Sequence, residues 1–362
     1  MLTSEHQATR AELALTRPVA VPTAGKPINV GVIGYGYWGP KLVRSFQEVA
    51  TTRVTMVADL EAARLSHLRR TYPDIQVTCD YQTLLDSNVD AVAVATPVST
   101  HFRVGRDCLL HDKHILVEKP LARHREEGQA LIELAQQRGL VLMAGHTFEY
   151  NPAVEMLRNM VVSGELGRVY YVHSTRTNLG LFQNDINVIW DLAPHDISIL
   201  LYVLGMEPVN VSASGASCLQ SGIHDVAWLT LEYANGVQAR VHVSWLDPCK
   251  VRRMTVVGDR KMVVFDDVEM QEKIKIYDVG VEKLEYTDNY EQFHMSYRYG
   301  DIHIPRIPLD EPLKVECTHF ADCILHHERP RSDGVVGLKV VKILESAEES
   351  LQHGGARVPI RW

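Results

Sequence analysis

The chain has 362 residues, 46% of them hydrophobic and 23% charged, with a formal net charge of -8. That length suits two domains better than one core, and the acidic balance gives no electrostatic reason to expect nucleic acid or an anionic membrane as partner. No apolar run approaches the ~20 residues of a membrane span, and Cys79, Cys108, Cys218, Cys249, Cys317 and Cys323 lack the paired spacing of a zinc site, which predicts reduced thiols in a cytoplasmic protein.

Residues 1–26 read as a loose N-terminal arm, with a short helix at 5–15 and without the basic start and apolar core of a secretory signal. The first strand, 29–33, then runs into Gly34-Tyr35-Gly36-Tyr37-Trp38-Gly39 and a helix beginning near Pro40. This is the strand, glycine turn and helix order of a dinucleotide site. Gly34 would make the tight turn, Gly36 would admit a pyrophosphate to the backbone, Gly39 would let helix and strand pack, and Tyr37 and Trp38 share the loop. A second strand, 54–58, ends in Asp59, at the spacing where a carboxylate meets the adenosine ribose and repels a 2′-phosphate, so NAD(H) is expected over NADP(H). Further strands at 75–78, 91–95, 114–117 and 141–144 alternate with amphipathic stretches such as 124–137. The alternation predicts a Rossmann-type α/β domain over 27–149, a parallel sheet covered on both faces. Ligands of such sheets lie beyond the carboxyl ends of the strands, which directs attention to 34–39, 96–101 and 118–120.

Residues 150–362 have a different texture. Asn151-Pro152 opens a helix ending near Gly164. Strands at 169–177, 209–217, 226–233, 238–244, 253–257, 262–265 and 273–277 follow, joined largely by short turns, with one helix at 194–204 and two closing helices at 313–326 and 334–352. The expectation is an α+β domain with a large, mainly antiparallel open sheet. A sheet with one uncovered face predicts a homodimer or homotetramer.

Two constellations could carry chemistry. Lys119, after the strand at 114–117, can hydrogen-bond a substrate hydroxyl and, if partly desolvated, exchange a proton. Asp191 and His195 have an i,i+4 spacing that can bring both to one side of a helix; Pro194 is read as a first-turn residue, with Asp191 near the cap. A histidine there can take a hydroxyl proton as hydride leaves the carbon. The pairs His111 with His114 and His326 with His327 lack further ligands at metal spacing, and 290–299 reads as a loop over the site or a subunit contact.

The glycine turn, Asp59, Ala95-Thr96-Pro97 with His101, Glu118-Lys119-Pro120 and the Asp191 to His195 spacing together resemble the Gfo/Idh/MocA family of NAD(P)-dependent oxidoreductases. The resemblance implies that Lys119 and His195 flank the reacting hydroxyl, that Asp191 holds the sugar ring, that Thr96 and Pro97 line the nicotinamide ribose, and that Glu118 stands near the same end of the cofactor, with His101 among the cofactor residues. The stretches 146–152 and 176–190 are similar to sugar-nucleotide members, in particular UDP-N-acetyl-2-amino-2-deoxyglucuronate 3-dehydrogenases. Arg176, Asn178, Gln183 and Asn187 supply donors suited to a diphosphate, carboxylate or acetamido group, with Tyr150 and Trp190 beside them. The implied activity is metal-free hydride transfer between NAD and a ring carbon, expected to be C3, of a nucleotide-linked or related sugar. An NAD-dependent glycosidase using transient C3 oxidation and a dinucleotide-sensing regulator are the alternatives.

Overall fold

Burial on both faces shapes the first sheet. The computed structural model describes residues 26–283 and 295–362, so the expected helix at 5–15 and residues 290–294 lie outside it. β1 (Ile28–Ile33), β2 (Thr52–Ala58), β3 (Gln76–Thr78), β4 (Ala91–Val94), β5 (His114–Glu118) and β6 (Leu142–Gly145) pair in parallel in the order β3-β2-β1-β4-β5-β6. Every residue of β4 and β5 is buried, because the crossover helices cover both faces. Those helices are α1 (Gly39–Glu48), α2 (Ala62–Thr71), α3 (Tyr81–Leu85), α4 (Val98–Leu110) and α5 (Arg125–Arg138).

A 3-10 turn, Thr147–Tyr150, leads into α6 (Pro152–Val162), where the Asn151 Oδ1 caps the Ala153 N–H at 2.9 Å. β7 (Val169–Thr177) and α7 (Val188–Leu204) follow, then β8 (Pro208–Ala216), β9 (Val226–Tyr233), β10 (Gln238–Ser244), β11 (Val251–Gly258), β12 (Met262–Asp266), β13 (Ile274–Lys283) and β14 (Met295–His303). α8 (Pro312–His326), α9 (Gly334–Gln352) and the short β15 (Val358–Pro359) close the chain. The second sheet runs β14-β13-β12-β11-β7-β10-β9-β8-β15, antiparallel throughout except for the β7 and β10 pair. One face is packed beneath α7 and α9; the other is open, with Tyr171 and Trp228 exposed and Trp228 stacked on His242 at 5.1 Å.

The two sheets share their cores. α9 packs against α5, α7 and β8, and α8 returns to α1, where the Phe320 and Phe46 rings lie 6.2 Å apart. Among the described residues no helix is long and apolar enough to cross a membrane, and every cysteine is free.

Three elements differ from expectation. α7 starts earlier than the sequence suggests, because the Asn187 Oδ1 accepts from the N–H groups of Ile189 and Trp190; Pro194 therefore sits inside the helix rather than in its first turn. β14 occupies part of the stretch read as a loop. Nearly all its side chains are exposed, so it carries no alternation to reveal it. β15 is too short to leave a pattern.

Candidate active site

The glycine turn is fixed by contacts that only two of its three glycines make. Gly34 has φ +96°, and a Cβ there would lie 2.5 Å from the Ala95 carbonyl oxygen; one on Gly39 would lie 2.3 Å from that of Gly34. A Cβ on Gly36 would meet only Arg64, at 3.7 Å. The outer glycines serve packing, and the middle one leaves backbone open to a ligand at the N-terminus of α1, which no side chain caps. These residues fit a dinucleotide pyrophosphate. Tyr37 is exposed and Trp38 half-buried, and the Lys41 ammonium lies 3.5 Å and 4.3 Å from their ring centroids.

Asp59, at the end of β2, is buried and braces this turn. Its Oδ2 accepts from the Tyr35 N–H at 2.6 Å and its Oδ1 from the Glu61 N–H at 2.8 Å. Arg64, from the first turn of α2, approaches Oδ2 to 3.6 Å.

Beyond β4, Thr96 is half-buried and Pro97 exposed. His101 is buried, with Nδ1 2.8 Å from the Pro120 carbonyl oxygen and Nε2 2.8 Å from that of Thr96. Its ring ties the loops after β4 and β5 together, leaving neither nitrogen for the cofactor. Burial holds its pKa below the ordinary histidine value, against the pull of the two carbonyls, and a neutral ring can donate to only one of them.

Beyond β5, Glu118 is buried, its carboxyl pushed up to about 7 by that burial, and Lys119 precedes a cis peptide to Pro120. The Lys119 Nζ donates to the Asp191 carbonyl oxygen at 2.6 Å and lies 3.3 Å from its Oδ1. Pro194 lies inside α7 and has no N–H to offer the Trp190 carbonyl, one residue before the carbonyl that Lys119 meets. The other carboxylate oxygen of Asp191 accepts from the Trp245 indole at 2.9 Å.

His195 lies one turn further along α7, half-buried, with the Phe148 ring 5.2 Å away edge-on and its Nδ1 enclosed without a partner. Burial, and then the nearby Lys119, Arg176 and Arg252 cations, hold its pKa well below the ordinary value, so the imidazole rests neutral. Lys119, at the end of the first sheet, is thus brought beside Asp191 and His195 on α7. The chemistry available there is that of an ammonium that can polarise an alcohol oxygen, a neutral imidazole that can accept its proton, and a carboxylate that can orient a neighbouring hydroxyl.

Several expected ligand-facing side chains are otherwise engaged. Arg176 is buried against Asp196, Nε to Oδ2 at 2.6 Å. Asn187 caps α7 and donates to Glu348 at 2.7 Å; Trp190 is buried and donates to the same carboxylate at 3.3 Å. The Tyr150 hydroxyl meets Ser332 at 3.0 Å in the interior. Gln183 makes a 3.4 Å contact with its own loop, and Asn178, just after β7, is half-buried. Trp245, Arg64 and Glu316 escaped the sequence reading: Trp245 meets Asp191 and Glu316 meets Thr147 across long stretches of chain, while Arg64 pairs locally with Asp59 and Glu61 and has no motif to mark it.

Residues 28–146 match the model of an oxidoreductase family with an NAD-binding Rossmann fold, and residues 154–264 match the GFO/IDH/MocA C-terminal domain. The chain is 29% identical over 323 residues to UDP-N-acetylglucosamine 3-dehydrogenase of Acidithiobacillus ferrooxidans, covering 87% of this chain and 94% of that protein. The crystal structure of that enzyme superposes with a TM-score of 0.75 at 26% identity, covering 91% of this chain and 99% of that one. A scyllo-inositol 2-dehydrogenase (NAD(+)) of Bacillus subtilis is 26% identical over 339 residues, 90% of this chain and 93% of that protein. With both halves matched in order, this chain belongs to the Gfo/Idh/MocA family of oxidoreductases.

Proposed function

We propose that the protein moves a hydride between NAD(H) and a ring carbon, C3, of a nucleotide-linked sugar. The observation that carries this reading is the approach of Lys119, from the first sheet, to Asp191, one helical turn before His195. Nicotinamide, when bound, takes or gives the hydride. In the oxidation direction the Lys119 ammonium polarises the hydroxyl oxygen and the neutral His195 imidazole takes its proton; reduction reverses the transfer. Asp191, held from both sides by Lys119 and Trp245, orients the adjacent hydroxyl. Gly34, Gly36 and Gly39 with the start of α1 hold the pyrophosphate, Asp59 faces the adenosine ribose, and Thr96, Pro97 and Glu118 stand at the nicotinamide end.

The substrate class is supported by the likeness to the UDP-N-acetylglucosamine 3-dehydrogenase over nearly the whole chain. This reading assigns 27–149 to the cofactor and 150–362 to substrate and self-association, two or four copies meeting through the open sheet face that carries Tyr171 and Trp228. Sedimentation at micromolar concentration tests the association; a monomer would refute it.

The activity test is NADH formation from UDP-N-acetylglucosamine and NAD+, with Lys119→Ala and His195→Ala as controls. Each variant is expected to lose about 100-fold or more in kcat while still binding NAD+. Wild-type turnover in both would end the assignment, and release of free sugar without NADH would favour a glycosidase.

A further inference from the structure

Behind His195 lies a set of buried polar side chains that the proposed chemistry does not use. Glu316 on α8 and His146 at the end of β6 are fully buried, and Glu149 in the 3-10 turn nearly so. The Glu316 Oε1, the Glu149 Oε1 and both ring nitrogens of His146 have no hydrogen-bond partner. Glu316 makes one bond: its Oε2 accepts from the Thr147 hydroxyl at 2.7 Å. Thr147 opens the 3-10 turn, which packs between α7 and α8. The next residue, Phe148, sets its ring edge-on to His195 at 5.2 Å and beneath the Arg176 guanidinium at 4.5 Å.

We propose that Glu316 is a positioning residue of this site: through Thr147 it fixes the 3-10 turn, and through Phe148 it sets the orientation of the His195 imidazole. The inference rests on the reading of His195 as the proton acceptor. His195 needs such help because its Nδ1 has no partner to fix the ring; in its place Phe148 bears on the imidazole edge, and the aromatic ring is only as firm as the turn that carries it.

The surroundings of Glu316 favour its neutral form. The acids around it are Glu118 from β5 and Glu149 from the 3-10 turn, whose ionised forms would carry the same sign. The cations on the packed faces of α1 and α8, Arg44 and Lys314, are paired outward with Glu311 and Glu48. Burial, then Glu118, pushes the Glu316 carboxyl well above the ordinary range, outweighing the Thr147 bond. Such surroundings favour the neutral carboxylic acid, which still offers an oxygen to the Thr147 hydroxyl.

The test compares Thr147→Val, Glu316→Ala and Glu316→Gln in the full chain, with NAD+ and UDP-N-acetylglucosamine. Thr147→Val and Glu316→Ala are expected to lower kcat about tenfold, with KM and NAD+ affinity within about twofold of wild type. Glu316→Gln keeps the acceptor and lacks the charge, so it is expected to restore kcat to within about twofold and to remove any alkaline loss of rate that ionisation of Glu316 causes. Glutamine as damaging as alanine, or Thr147→Val with wild-type kcat, would overturn the proposal. Thr147→Val and Glu316→Gln are near-isosteric and decide the matter even where the alanine variant does not fold. His195→Ala with wild-type turnover would defeat the underlying reading instead, so the two failures are distinct.

Discussion

The Trp245 indole N–H donates to Asp191 Oδ2 at 2.9 Å, while Lys119 Nζ stands 3.3 Å from Oδ1 of the same carboxylate. Trp245 follows β10 and is buried, so its donor is fixed by the second sheet, whereas Lys119 is fixed by the first. The carboxylate is clamped across the cleft. Trp245→Phe keeps the ring but removes the donor. A hydrogen bond to a charged group contributes about 1.5–3 kcal/mol, so kcat/KM for the sugar is expected to fall by about tenfold or more, with NAD+ affinity unchanged. Steady-state kinetics check this, and an unaltered kcat/KM would mean that Lys119 alone holds Asp191.

Arg176 is expected to act on stability rather than on substrate. Its guanidinium and the Asp196 carboxylate are both buried, and Asp196 Oδ1 also accepts from the Ser174 hydroxyl at 2.7 Å. Removing one partner strands a buried charge, which costs about 3–5 kcal/mol. Arg176→Ala should therefore lower the urea midpoint sharply, and Arg176→Met with Asp196→Leu should recover part of the loss. A raised KM at unchanged stability would return Arg176 to the substrate.

Cofactor choice is expected to turn on Asp59 and Arg64, 3.6 Å apart beside the glycine turn. The carboxylate should exclude a 2′-phosphate, so the wild-type protein is expected to prefer NAD+. Asp59→Ser leaves Arg64 free to meet that phosphate, and the ratio of kcat/KM for NADP+ over NAD+ should rise by about tenfold or more. The variant should also lose about 1–3 kcal/mol of stability, since the Tyr35 and Glu61 N–H groups lose a charged acceptor. An unchanged ratio would remove Asp59 from cofactor selection.

Stability should narrow from both sides of pH. Glu118 and Glu149 have carboxyls raised by burial from 4.5 to about 7 and about 8. A raised acid stabilises fully below its unfolded pKa, and that contribution is lost as pH climbs from 4.5 through those values. His114 and His146 are lowered by burial from 6.5 to about 4 and about 3, so their contribution is present above 6.5 and lost as pH falls toward those values. Thermal melts across pH should show Tm declining from pH 6.5 to 8, with Glu149→Gln flattening that decline. An identical slope in the variant would show that Glu149 is not its source.

The strands of the first sheet are legible in the sequence because both faces are covered: continuous apolar runs such as Ala91–Val94 mark interior strands. The glycine turn is legible for a related reason, since Gly34 and Gly39 answer to backbone sterics within one short segment. The types of the residues in the cleft, Lys119, Asp191 and His195, are also marked by local spacing. Their meeting is not. It depends on α7 being capped by Asn187 and carrying Pro194 inside it, and on Trp245, just after β10 and 54 residues from Asp191 in sequence.

Sequence by itself therefore determined the dinucleotide fold, the antiparallel partner sheet and the kinds of side chain available for chemistry, because those follow from periodicity and local steric limits. Tertiary structure alone decided which polar groups are left for a ligand. Arg176, Asn187, Trp190 and Tyr150 carry the right donors, but each is drawn inward by a partner at long sequence separation, Asp196, Glu348 or Ser332. A buried hydrogen-bonding group must be satisfied wherever the fold places it, and that requirement is settled only once the chain has closed on itself.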